Sequence, residues 1–183
     1  MSPNFPENKI IAEVLDGNTR AFASIMEAYA HKVFALVAGM TGNAEDAADI
    51  TQDIFTKVFT SLSSFKVQSS FSTWLFRISY NMALSHLRTS GRVPLQSADD
   101  NQWNSISENA AEDVDEEDIT ADMLYKALDM LTSDERTLIT LFYLEGKSLA
   151  EIAFIMSVSE TNAKTRLFRI RNKLRKIISD GIK

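Results

Sequence analysis

Ser148-Leu149-Ala150-Glu151-Ile152-Ala153-Phe154-Ile155-Met156, then Ser157-Val158-Ser159, then Glu160-Thr161-Asn162-Ala163-Lys164-Thr165-Arg166-Leu167-Phe168-Arg169-Ile170-Arg171 is the stretch that decides the fold of this 183-residue chain. Ser148 with Glu151 fits a capping box, in which side chain and backbone satisfy each other at a helix start. Leu149, Ile152, Ala153 and Met156 give that short helix one apolar face. Ser157-Val158-Ser159 reads as a tight turn, with Ser159 the N-cap of a longer helix. Its apolar residues Ala163, Leu167, Ile170, Leu174 and Ile177 fall within about 80° of arc at 100° per residue, a narrow core stripe. Thr161, Thr165, Phe168, Arg169 and Asn172 gather opposite, with Lys164 at the edge. Between Lys164 and Lys176 there are seven bases and no acid. A solvated helix ordinarily mixes signs, because opposite charges at i,i+4 stabilise it. A helix of one sign calls for an anionic partner. A short helix, a tight turn and a basic second helix predict a helix-turn-helix that enters a DNA major groove. Thr161, Asn162, Lys164 and Thr165 are placed for base edges and nearby phosphates; Arg166, Arg169, Arg171 and Lys173 suit phosphate. Phe168 has two readings, a contact to a thymine methyl or closure of a neighbouring helix.

Outward from this unit, Thr132 with Glu135 makes a second capping box, and Gly146 ends the helix it starts. Met123, Leu124, Ala127, Leu128 and Leu131 form an apolar face before it. Residues 7–90 also read as helical. Asn18 is placed to cap a helix carrying Phe22, Ile25, Met26, Tyr29, Val33, Leu36, Val37 and Met40 at the helical period. Thr41-Gly42-Asn43 breaks it, and Asn43 caps a helix with Ala47, Ile50, Ile54, Val58 and Leu62 on one side. After a polar loop, Phe71, Trp74, Leu75, Ile78 and Met82 face inward from a third helix. No stretch sustains period-two alternation, so the expected class is all-α.

Charge is segregated. Residues 1–92 are neutral overall, 93–122 carry ten acids and no base, and 123–183 carry a net +4, for −6 in total. The expected organisation is two small helical domains, 1–92 and 121–183, joined by an acidic linker, 93–120, too charged to bury a core. Within the linker, Trp103 is an anchor against a partner or an exposed aromatic. About thirty residues reach about 100 Å extended and about 30 Å as a coil, enough to span sites one or two DNA turns apart.

With no cysteine, disulfides and thiolate metal sites are excluded. His31 and His86 lie far apart in sequence, and no glycine-rich phosphate loop is present. No enzyme, cofactor or metal site is expected. No apolar run approaches the 18 or so residues of a membrane span, and no signal pattern opens the chain, which predicts a cytoplasmic protein without membrane insertion of its own.

Several motifs resemble the extracytoplasmic-function sigma factors of bacterial RNA polymerase. Leu131 to Arg136, Phe142 to Ala153 and Lys164 to Arg171 look like sigma region 4. Asp46-Ala47-Ala48-Asp49-Ile50-Thr51-Gln52-Asp53-Ile54-Phe55 looks like region 2.2. Phe71 to Ile78 with Asn81-Met82-Ala83 looks like regions 2.3 and 2.4. The resemblance implies a subunit that binds core RNA polymerase and directs initiation at promoters, region 2 opening the −10 element and region 4 reading the −35 element. It implies polymerase contact by Asp46, Asp49, Gln52, Asp53 and Thr56; four of these recur at spacings of 3, 4 and 3 as a polar, mostly acidic stripe. It implies a −10 site in the loop Phe65, Lys66, Gln68, Ser69 with Arg77, Asn81 and Arg88, Phe65 and Asn81 receiving a flipped base. It implies an anti-sigma partner, and a linker that runs through a basic channel of the polymerase. Thr161-Asn162-Ala163 departs from the Gly-Thr-Val frequent in the family, so its −35 sequence does not carry over. No large C-terminal extension like that of some subgroups is expected. The competing class is a helix-turn-helix regulator that is no polymerase subunit, which leaves the acidic stripe and the Phe65 loop unexplained. A helical interaction protein without a DNA role fits the basic helix poorly.

Residues 123–183 alone are expected to bind promoter DNA more tightly than the net-negative intact chain does without polymerase. Four or five phosphate contacts give a log–log salt slope near about −4. Fluorescence anisotropy of both proteins on one duplex across a salt series checks this; equal or tighter binding by the intact chain refutes it.

Overall fold

The computed structural model describes residues 6–66, 68–91 and 121–181. Eight α-helices follow one another among them: α1 (Glu7–Leu15), α2 (Phe22–Thr41), α3 (Ala44–Ser61), α4 (Phe71–Thr89), α5 (Ala121–Asp129), α6 (Ser133–Ile139), α7 (Leu149–Met156) and α8 (Glu160–Gly181). No strand occurs among the described residues. Trp103 and the acidic linker lie outside them.

Local chemistry sets most of the boundaries. Gly42, at φ +66°, ends α2 with its N–H on the Ala38 carbonyl, and Asn43 Oδ1 then accepts the N–H groups of Glu45 (2.8 Å) and Asp46 (3.2 Å). Thr132 and Glu135 complete the capping box of α6, and Ser148 and Glu151 that of α7. Asn18 makes no side-chain cap: its backbone (φ −78°, ψ 73°) is not extended, and a 3-10 turn, Thr19–Ala21, separates it from α2. Beyond α6 the chain widens into a π turn, Thr140–Leu144, whose Glu145 N–H reaches back to the Thr140 carbonyl before Gly146 turns left-handed at φ +62°.

Helices α2, α3 and α4 pack together over Ile25, Val33, Val37, Ile54, Val58 and Leu75, each at most 0% exposed. Taken with its leading turn, α2 (Thr19–Thr41) is apolar and long enough to cross a membrane by length and composition, contrary to the sequence reading. It carries Arg20, Glu27 and Lys32 and buries Phe22, Tyr29 and Met40 against its neighbours. The C-terminal helices do not stand apart. α6 lies on α2 and α7 lies on α4, and one contiguous apolar cluster runs from Ile11 through Leu87 to Leu138, Ile152 and Ile170. Where α2 meets α6, Gly39 leaves room for Arg136, whose Cδ would stand 3.3 Å from any added Cβ. Along α8, Ala163, Leu167 and Ile170 are buried as expected, but the last turn buries Ile178 and leaves Ile177 half-buried. The stripe precesses because 3.6 residues per turn does not close on a 4-3 repeat, and α5 covers the shifted side.

Leu75→Ala is expected to cost about 2–5 kcal/mol, the range for a buried leucine that leaves a cavity. Leu144→Ala, at a position 73% exposed, should change stability by less than about 0.5 kcal/mol. Urea titration followed by far-UV circular dichroism separates the two.

Candidate nucleic-acid interface

Ser157 takes left-handed backbone (φ 57°, ψ 42°), and the Val158 N–H returns to the Ala153 carbonyl at 3.0 Å, which makes the turn between α7 and α8 tight. Ser159 Oγ accepts the Asn162 N–H at 3.1 Å and starts α8. On α8, Thr161, Lys164, Thr165, Phe168 and Arg171 are exposed, while Asn162, Arg169 and Lys173 are half-buried. Phe168 is 59% exposed, so it does not close a neighbouring helix here. Thr165 donates its hydroxyl to the Thr161 carbonyl and keeps oxygen lone pairs outward. Three of the expected phosphate contacts are engaged within the chain. Arg166 is buried at 4% exposure; Arg171 Nε donates to the Tyr143 hydroxyl at 2.7 Å, with Phe142 beside it; Lys173 pairs with the buried Glu135 at 2.7 Å.

The second group of expected DNA contacts follows α4. Asn81 and Arg88 are exposed, as are Lys66 and Gln68 in the preceding loop; Ser69 is half-buried. Phe65 is half-buried, its ring 5.6 Å from Phe71 and 5.4 Å from Trp74. Trp74 and Asn81 share a face of α4 but lie two turns apart, about 10 Å along the axis at 1.5 Å per residue. Arg77 is half-buried, its guanidinium 3.9 Å from the centre of the Phe154 ring of α7.

On α3, Asp49, Gln52, Asp53 and Thr56 are exposed and Asp46 is half-buried, so the polar stripe faces outward as expected. Beside it α2 and α3 enclose an open apolar groove of about 630 Å³, lined by Phe22, Met26, Phe34, Ala48, Phe55 and Phe59. Met26 is 43% and Phe59 39% exposed. Sequence reading missed this groove; Phe34 and Phe59, apolar yet off the main core stripe, were the available signal.

It also missed the polar contact that joins the two halves. Lys147, 9% exposed, directs Nζ at Ser72 Oγ (2.5 Å), Thr73 Oγ1 (3.1 Å), Ser70 Oγ (3.4 Å) and Glu151 Oε1 (3.4 Å). Thr73 in turn donates to Glu151 Oε1 at 2.5 Å. Burial raises the Glu151 pKa, but hydrogen bonds from Thr73, the Ser148 backbone and the Ser148 hydroxyl, with the Lys147 charge, outweigh it and hold the carboxyl at about 2. Nearby, Tyr80 donates to Asp134 at 3.1 Å; burial and the Asp134 carboxylate raise its pKa, with the charges of Arg166 and Arg88 pulling the other way. Lys32 pairs with Glu145 at 3.0 Å.

The chain thus carries a helix-turn-helix behind a second helical unit whose outer face bears an acidic stripe. Two family models match it: sigma-70 region 2 over residues 25–93 and sigma-70 region 4 over residues 121–174. The chain is 30% identical to the RNA polymerase sigma-H factor of Pseudomonas aeruginosa over 182 residues, covering 94% of this chain and 93% of the relative. It is 31% identical to the ECF RNA polymerase sigma factor SigW of Bacillus subtilis over 180 residues, covering 94% and 96%. Its fold is similar to that of the sigma factor RpoE of Bartonella quintana, solved in complex with the anti-sigma factor NepR (TM-score 0.65, 26% identity, 86% of this chain and 96% of that one). The chain belongs to the extracytoplasmic-function family of RNA polymerase sigma factors, transcription initiation factors that direct promoter-specific initiation.

Because Glu151 holds its proton less tightly than the ordinary value of 4.5, its contribution to stability is complete above pH 4.5 and lost as pH falls towards 2. Wild type should be more stable than Glu151→Gln at pH 6, and the difference should vanish on approach to pH 2. Urea midpoints of both proteins measured across this range check the sign.

Proposed function

We propose that α8 reads the −35 element with Thr161, Asn162, Lys164 and Thr165 at base edges, Phe168 against an apolar base edge, and Arg169 on phosphate. Arg166, Arg171 and Lys173 complete the phosphate contacts, the last two by exchanging Tyr143 and Glu135 of the same half for phosphate oxygens. The loop of Phe65, Lys66, Gln68 and Ser69, with Arg77, Asn81 and Arg88 on α4, receives the −10 element, Phe65 as the stacking surface. Asp46, Asp49, Gln52, Asp53 and Thr56, with the groove between α2 and α3, dock a basic helical surface of core polymerase. Residues 1–92 and 121–183 are the two functional units and 93–120 the tether between them. The carrying observation is that one chain exposes an acidic stripe beside an apolar groove on α3 and carries seven bases and no acid between Lys164 and Lys176 of α8. Acid of this kind cannot serve DNA, and base of this kind cannot serve a basic protein surface.

In this reading the protein performs no catalysis and works in the cytoplasm, where polymerase and DNA are. An anti-sigma factor is its resting partner; the similar Bartonella protein was solved in complex with one, NepR. Run-off transcription with purified core polymerase tests the assignment; a chain that binds DNA but starts no transcript from any genomic promoter is a regulator instead.

Reversing two charges of the stripe, Asp49→Arg with Asp53→Arg, should lower run-off transcription by more than about tenfold, since like charges across an interface cost several kcal/mol. Affinity for a −35 duplex measured without core should not fall, because neither residue lies on α8 and the change removes negative charge.

A further inference from the structure

Two exposed features of the chain complement each other and do not meet within it. Phe168 stands 59% exposed on α8, a large apolar side chain on an otherwise polar face. The groove between α2 and α3 is open, walled by Phe22, Met26, Phe34, Phe55 and Phe59, and Phe168 of the same chain does not line it. Exposed apolar patches with a polar rim mark interaction sites, and an aromatic side chain seated in an apolar pocket carries much of the binding energy of such contacts. A further ring among these phenylalanines also gains from edge-to-face packing.

Charge is arranged around both features in the same way. At about 100° per residue, Lys164, Arg171 and Arg175 lie on one side of Phe168, within about 60° of it, and all three are exposed. Thr161, Thr165 and Asn172 lie on its other side and carry no charge. On α3, Asp46, Asp49 and Asp53 follow one side of the groove, joined to it by Gln52 and Thr56, which belong to both stripe and groove. The opposite wall, from α2, is apolar but for His31. Asp46 and Asp53 are seven residues apart, as are Lys164 and Arg171, so each pair spans about 10 Å at 1.5 Å per residue. Arg171 donates Nε to the Tyr143 hydroxyl and remains exposed while doing so. An apolar centre with acid on one side thus faces an apolar centre with base on one side, at matching spacing.

We propose that α8 of one copy of this chain docks in the α2–α3 groove of a second copy, with Phe168 among the groove phenylalanines and Lys164, Arg171 and Arg175 against Asp46, Asp49 and Asp53. The contact is heterologous, joining two different surfaces of the same protein. It depends on shape and charge alone and goes beyond the sigma reading. Under that reading it has a consequence: the contact covers the polymerase-docking face of one copy and the DNA-reading helix of the other. Free chains then withhold both surfaces until core polymerase or promoter DNA competes them apart. Because its charged pairs lie at the surface, the contact weakens as salt screens them.

Sedimentation velocity of the full-length chain tests this. At low ionic strength the weight-average sedimentation coefficient of the wild type should rise with concentration, and in about 1 M salt it should return to the monomer value. Phe168→Ala should weaken the association at least about tenfold, as loss of a central aromatic anchor does. Phe168→Asp alone, and Asp49→Arg with Asp53→Arg alone, should each stay monomeric. An equimolar mixture of these two variants should nevertheless pair, because one keeps an intact groove and the other an intact α8. All three positions are exposed, and circular dichroism confirms that each variant is folded. A wild type that stays monomeric at every concentration in low salt overturns the proposal. So does association that survives Phe168→Asp, and so do variants that fail to pair when mixed. Core polymerase is then added to the associated wild type. Dispersal supports a shared face, and association that persists through active transcription overturns that sharing. A chain that self-associates but starts no transcript from any promoter sinks the sigma reading alone.

Discussion

The position of Lys147 constrains much of the rest. An ammonium removed from water costs several kcal/mol unless its protons meet acceptors in good geometry. Here four oxygens surround it, three of them from the start of α4 and one from the first turn of α7. Both helix starts are therefore committed to each other. Ser70 caps α4, Ser148 and Glu151 cap α7, and the same side chains that begin these helices also dock them. Capping, which ordinarily costs a protein nothing in tertiary freedom, here fixes the angle at which the two halves meet.

The distribution of positive charge follows from this. A basic helix reads naturally as all surface, yet α8 divides its cations between solvent and scaffold. Lys164 faces outward. Arg171 and Lys173 brace α8 against the Tyr143 hydroxyl and the buried Glu135 carboxylate, and Arg166 is covered. Interior pairing and exterior recognition thus draw on the same residue types in the same helix, and composition alone cannot divide them.

Most of the fold was legible in the sequence because its signals are short-range. Asn43, Thr132 with Glu135, Ser148 with Glu151, and Gly146 each act within four residues, and each does in the structure what its spacing predicts. The polar stripe on α3 was legible for the same reason, since one helix decides which of its faces points out. What was hidden involves partners more than seventy residues away in sequence: Lys147 with Ser72 and Thr73, and Arg77 with Phe154. Arg166 shows the mechanism. It sits at the margin of the core stripe, where a side chain is exposed or buried according to what packs beside the helix, and the sequence of α8 does not state that. Asn18 failed as a cap and Ile177 as a core residue for a related reason: each lay where the helix axis or its phase shifts by a fraction of a turn.

The π turn at Thr140–Leu144 sets the phase of everything after it. A π turn holds one residue more than the α-helical turn it replaces. Without that residue, an unbroken α-helix from Ser133 would deliver its end rotated by about 100°, the angle of one helical step. Gly146 and Lys147 would then leave the helix on another side, and the ammonium would point away from α4. Chain length in this short segment thus acts as a dial: one residue, of whatever kind, decides whether the two halves of the molecule are keyed to one another or merely tethered.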